Sequence, residues 1–126
     1  MINHVPLLST CKKLKELGYP QKHNLCKWAQ HSYDWLLYDK EDFGALEECP
    51  QCAAPLATEL LEWLPTAIEV NKNFCPLHIT PVNKEETFVF FMGSNISKIA
   101  ALPEALAQML IYLVENKIVS FEKEKV

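Results

Sequence analysis

The sequence predicts an α+β domain in which an antiparallel sheet, made of a hairpin and a three-stranded meander, is packed by helices. Two observations support this fold class. A long helical pattern covers Leu102–Asn116, and short runs rich in aromatic and β-branched residues are separated by polar turns. The expected order is an N-terminal helix, the hairpin, a middle helix, the meander and a long C-terminal helix.

The C-terminal helix is predicted from apolar residues at three- and four-residue spacing, which form one stripe facing the core. Pro103 suits the first turn, and Glu104 stands near the positive end of the helix dipole, on the side away from the stripe. The stripe consists of Leu102, Leu106, Met109 and Leu113. We therefore expect Met109 to be buried and Glu104 to lie opposite the stripe.

Two shorter helices are predicted earlier in the chain. The first covers Pro6–Leu17, and its end is marked by Gly18, which fits the left-handed position after a helix. Tyr19 would then cover Leu14, as in a Schellman motif. The second helix covers Leu56–Leu64, where leucines recur on one face.

The strands are predicted from two groups of apolar runs. Leu25–Trp28 and Tyr33–Tyr38 indicate an antiparallel hairpin whose Trp35 face meets the core, and Phe43–Ala54 is expected to be a loop. The three strands of the meander are expected at Leu77–Val82, Thr87–Met92 and Ile96–Ala100.

The second strand of the meander is apolar on both faces, which favours a central position in the sheet and a buried Phe90. Pro81 places the first strand at an edge of the sheet or ends it.

Composition limits the possible functions. The 126 residues suit one domain, for which we expect residues 1–121, followed by a frayed tail at residues 122–126. The net charge is −4 and all twelve cationic side chains are lysines, so no nucleic-acid partner is expected. No signal peptide and no membrane span are indicated, which predicts a cytoplasmic protein of a bacterial host with no membrane partner.

The sharpest chemical signal is a pair of Cys-Pro turns, Cys49-Pro50-Gln51-Cys52 and Cys75-Pro76-Leu77-His78. Three thiolates and one imidazole at this spacing match a Cys3His structural zinc site. The competing interpretation is a mobile loop that holds Cys49 and Cys52, followed by a strand that carries Cys75 and His78. We expect no cofactor, because the apolar residues can form a core without a metal.

A second alternative is a thiol-redox protein that uses Cys49 and Cys52, since the pair precedes a predicted helix as in thioredoxin-like sites. Against this alternative, the segment between the hairpin and Cys49 contains the run of four charged residues Asp39–Asp42, followed by Gly44. Cys26 with His31, and Asp34 nearby, is the one other arrangement that suggests a nucleophile and a base, and only residue type supports it. No phosphate-binding glycine loop is recognisable, so no catalytic residue is assigned.

The chain resembles a group of small uncharacterised proteins encoded by bacterial phages, prophages and other mobile elements. The likeness lies in four segments: Lys12–Gln21, Ala54–Pro65, Pro76–Thr80 and Ala105–Lys117. The resemblance implies a shared α+β fold and a phage-like origin, and it carries over no catalytic residue.

These observations favour a non-enzymatic accessory protein that acts by binding another protein. The partner is not identified, and the oligomeric state is left open. An exposed apolar or aromatic patch, for instance around Trp28, Trp63 and Tyr112, would support this hypothesis.

Overall fold

The computed structural model describes residues 4–22, 24–31, 33–40, 43 and 49–121, so the predicted frayed tail lies outside the described residues. Within these ranges the α+β fold is confirmed, with helices at the N-terminal, middle and C-terminal positions. The elements are α1 (Leu8–Glu16), β1 (Cys26–His31), β2 (Asp34–Asp39), β3 (Gln51–Ala53), α2 (Ala57–Leu61), β4 (Ala67–Val70), β5 (Asn73–Pro81), β6 (Thr87–Phe91), β7 (Ser97–Ala100) and α3 (Leu102–Glu115).

The strands form two antiparallel sheets instead of the single sheet expected. The smaller sheet has the order β2-β1-β3, and the larger sheet has the order β4-β5-β6-β7. β3 lies inside the predicted loop, where three residues are too few to show a period. β4 was not predicted, and it is joined to β5 by Asn71 and Lys72, whose φ angles of 51° and 69° are typical of a type I′ turn.

The meander strands lie close to their predicted positions, and β6 is an interior strand as expected. Pro81 ends β5, which is itself an interior strand. The hairpin has a shorter turn than expected, because β1 continues to His31, which lies opposite Asp34. α2 is also shorter than the predicted Leu56–Leu64 and ends at Leu61.

α1 ends in the predicted Schellman motif. Gly18 has a φ of +101°, and its N–H donates to the carbonyl of Lys15 at 3.1 Å. The N–H of Tyr19 donates to the carbonyl of Leu14 at 2.9 Å. α3 ends with the same pattern of bonds, but Lys117 occupies the left-handed position with a φ of +61°.

The main core lies between α3 and one face of the larger sheet, which we call its inner face. Met109 is buried there, as predicted, and β6 contributes Val89 and Phe91. Leu14 of α1 and Leu60 of α2 complete this core.

A second cluster lies between α1 and the smaller sheet. It contains Cys11, Cys26 and Cys52, with Trp28 and Trp35 packed against them. The predicted core position of the Trp35 face is therefore confirmed. α1 lies between the two clusters, since Cys11 belongs to one and Leu14 to the other.

Glu104, which lies opposite the apolar stripe of α3, is also buried. Its carboxylate accepts hydrogen bonds from the Leu7 N–H at 2.8 Å, the Thr10 hydroxyl at 2.6 Å and the Gln108 amide at 2.7 Å. The first two donors belong to the start of α1, so this side chain fastens α1 to α3. The helical pattern identified α3 correctly but did not reveal a neighbouring helix on its polar side.

Candidate binding surface

The most distinctive surface of the protein is the face of the larger sheet that points away from α3, which we call the outer face. Lys98 identifies the inner face, because its ammonium lies 5.7 Å from the ring centroid of Tyr112 on α3. Ile99, the next residue, therefore points outward. In β5, β6 and β7 the outer face comprises Phe74, Pro76, His78, Thr80, Phe88, Phe90, Ser97 and Ile99, and Met92 continues the same alternation just after β6.

Large apolar side chains on the outer face are open to solvent. Phe74 is 78% exposed, Ile99 is 53% exposed and Met92 is 48% exposed. In the described part of the chain, α3 packs on the inner face, and α1 and α2 both pack against α3. None of the three described helices covers the outer face.

Three rings at the centre of the outer face are stacked on one another. The ring centroids of Phe88 and Phe90 are 4.6 Å apart with planes 22° from parallel. His78, opposite Phe90 in the neighbouring strand, stacks on it at 5.3 Å and 21°. In a stack of nearly parallel rings, the flat face of one ring covers the flat face of the next. This stack therefore presents ring edges to solvent.

The outer face is also nearly free of charge. Glu69 of the edge strand β4 shares the outward direction with its partner Phe74, whereas β5, β6 and β7 place no Asp, Glu, Lys or Arg on this face. Charges lie in the turn between β5 and β6, at Lys84, Glu85 and Glu86. The result is an aromatic centre with charged groups only at its margins.

Phe90 is half-buried on the outer face, so the prediction of a buried Phe90 is wrong. The sequence pattern was sound, because β6 is apolar on both faces and central in its sheet. The inference failed because only one of the two faces is covered. The signal in the sequence for this surface was an apolar strand face that has no element to cover it.

The patch expected around Trp28, Trp63 and Tyr112 is not formed. Trp63 packs edge-on against Phe121 at 5.0 Å between ring centroids and belongs to the rim of the main core, as does Tyr112. Trp28 packs against the cysteine cluster, and its indole N–H donates to the carbonyl of Pro6 at 3.4 Å.

The structure separates the four candidate zinc ligands. Cys52 is buried in the cluster between α1 and the smaller sheet, whereas Cys75 is buried in the main core. His78 stacks on Phe90, and Cys49 lies in a cleft of about 370 Å³ beside Lys15 and Lys27. Among the described residues, no group of three or more His, Cys, Asp or Glu side chains is arranged to hold a metal ion.

Cys49 and Cys52 are also poorly placed for a disulfide with each other. The Pro50 carbonyl accepts a hydrogen bond from Gln30, which extends the sheet pairing of β3 by one residue. Residues three apart in extended backbone point to opposite faces, and Cys52 accordingly does not line the cleft of Cys49. Burial raises the pKa of Cys52 to about 11 and also raises the pKa values of Cys11 and Cys26, which keeps these thiols protonated.

A cleft of about 940 Å³ lies between the starts of α2 and α3 and the turn after β5. Leu56, Ala101 and Pro103 line one side, and the exposed Lys84 and Glu86 line the other. Its carboxylates lack the burial that tunes a general acid or base, so the geometry assigns no catalytic group here.

The chain matches no protein-family model, no curated protein and no solved structure. In the ranges that the structure describes, no helix has both the length and the apolar character needed to cross a bilayer.

Proposed function

We propose that the protein is a non-enzymatic accessory protein, of the phage or prophage type that its sequence resembles, which acts by binding a protein through the outer face. The observation that carries this proposal is the half-buried aromatic stack of His78, Phe90 and Phe88, flanked by the exposed Phe74 and Ile99. Burying one such large apolar side chain contributes about 1.5–3 kcal/mol, so a partner that covers several of them gains a substantial binding energy.

The ring geometry favours a protein over a nucleic acid. Single-stranded nucleic acids bind by stacking bases on open ring faces, with cationic side chains along the backbone. Here the faces of Phe88 and Phe90 are turned to each other, and no cation lies on the outer face of β5, β6 or β7. Ring edges suit interdigitation with the side chains of a protein surface.

The test compares two substitutions of equal exposure on different sheets. Ile99 on the outer face and Leu36 on the smaller sheet are each 53% exposed, and each lies in an edge strand. Wild-type, Ile99→Lys and Leu36→Lys chains carrying an affinity tag are expressed in a bacterial host together with an untagged copy, and the bound proteins are identified by mass spectrometry.

We expect the wild-type and Leu36→Lys chains to retain the same bound protein, and the Ile99→Lys chain to lose it, because a buried lysine lacks a compensating partner. Equal recovery by all three chains, or no specific protein with any of them, would show that the outer face is not the binding site.

A further inference from the structure

We infer that the protein bound at the outer face is a second copy of the same chain, so that two larger sheets pack face to face. The inference rests on the proposed function, because it needs the outer face to be a binding surface. It specifies the partner, the symmetry of the contact and its strength.

The shape of the surface suits such a pair. Antiparallel sheets pack face to face at about 10 Å, with strands about 30° apart because each sheet is twisted. Two copies of one chain have the same twist, so a two-fold axis brings their faces together at the usual angle. The helices on the inner faces would then lie on the two outsides of a sandwich.

The charge of the surface is compatible with self-association. In a two-fold contact a residue near the axis meets its own copy, so a charge at the centre of the face would meet a like charge. The outer positions of β5, β6 and β7 carry no formal charge, although the whole chain carries a net charge of −4. Glu69 lies on the edge strand β4, at the margin of the proposed contact, where its carboxylate remains in water.

The area of the face sets the expected strength. Four strands spaced about 4.8 Å apart give a width of about 19 Å, and strands of four to nine residues are roughly 14 to 30 Å long. The projected area is therefore roughly 300–500 Å² per copy, below the ~800 Å² per partner of a standard stable interface. We expect a reversible dimer with a dissociation constant in the micromolar range.

Sedimentation equilibrium of the untagged full chain tests the inference over a concentration range of about a hundredfold that spans the micromolar region. We expect a monomer–dimer equilibrium for wild type. Phe74→Lys and Ile99→Lys should each weaken it about tenfold or more, since a lysine then enters an apolar contact. Leu36→Lys should match wild type, and all variants should keep the wild-type circular dichroism and, at concentrations below the dissociation constant, the wild-type urea midpoint.

The dimer should also persist when salt is raised, because apolar contacts are not screened. A wild-type chain that stays monomeric throughout would overturn the inference. If Ile99→Lys nevertheless lost a different protein in the capture experiment, the proposed function would stand without it. A dimer unaffected by Phe74→Lys and Ile99→Lys would place the contact elsewhere and overturn the inference as well.

Discussion

The five cysteines differ in how far each thiol is removed from water. Four are buried, whereas Cys49 is half-buried at the edge of a cleft. Thiol reagents attack the accessible thiolate, so a folded chain should offer one reactive position. We expect an aromatic disulfide reagent to modify one thiol of the native protein quickly and all five in denaturant. Cys49→Ser should abolish the fast phase; a fast phase that survives this substitution would contradict the described burial.

The buried thiols also predict how stability depends on pH. The pKa of Cys52 is raised from an ordinary 9.0 to about 11, so the unfolded chain loses this proton at a lower pH than the folded chain. The stabilisation is fully present below pH 9 and should be lost as pH rises towards 11. The loss from Cys52 alone should reach on the order of 2 kcal/mol.

Urea unfolding measured across this alkaline range checks the prediction. Cys52→Ala should flatten the dependence only in part, because the pKa values of Cys11, Cys26 and Tyr19 are also raised by burial. A free energy of unfolding that stays constant up to pH 11 would show that burial does not raise the pKa of these thiols.

At the scale of elements, the ends of α1 and α3 form a matched pair. Both helices end in a Schellman motif, with glycine at the left-handed position after α1 and Lys117 at the same position after α3. A side chain in this conformation costs about 1–2 kcal/mol, so Lys117→Gly should raise the free energy of unfolding by roughly 0.5–1 kcal/mol. Chemical denaturation measures the gain.

Gly18→Ala is the reciprocal change and should lower the free energy of unfolding by about 1 kcal/mol. The added Cβ would meet Phe121 only at 4.0 Å, so the cost arises from the backbone and not from a clash. Changes of the same sign in the two variants would contradict this explanation of the helix ends.

The elements also show which sequence patterns were sufficient to predict a helix or a strand. α1 and α3 were predictable because periodicity and capping residues agree. β6 was predictable because its run of apolar residues indicates a strand in the interior of a sheet. β3 and β4 escaped prediction because each has only three or four residues and gains its pairing from a longer partner strand. The apolar character of the outer face could be predicted, because Phe88 and Phe90 are evident in the sequence. The exposure of this face could not be predicted, because it depends on which face of the sheet α3 packs against.

For the whole molecule, Glu104 tests how the helices are held together. Glu104→Ala would remove the acceptor for the Leu7 N–H and the Thr10 hydroxyl, so we expect a loss of roughly 2–3 kcal/mol in the free energy of unfolding. Glu115 is the control, because it also joins α3 to α1 but through an exposed ion pair with Lys13 at 3.3 Å. Glu115→Ala should cost less than about 1 kcal/mol. Equal losses in the two variants would show that the buried hydrogen bonds of Glu104 add no more stability than the exposed ion pair of Glu115.

The position of α1 has a consequence for how the molecule comes apart. Cys11 and Leu14 lie on the same face of this nine-residue helix, where Cys11 contacts the cluster beside the smaller sheet and Leu14 contacts the main core. Because α1 borders both apolar clusters, releasing it would expose both to water at once. The two sheets should therefore melt in one cooperative transition, and amide protons of β1 and of β6 should exchange with similar opening free energies, as members of one folding unit.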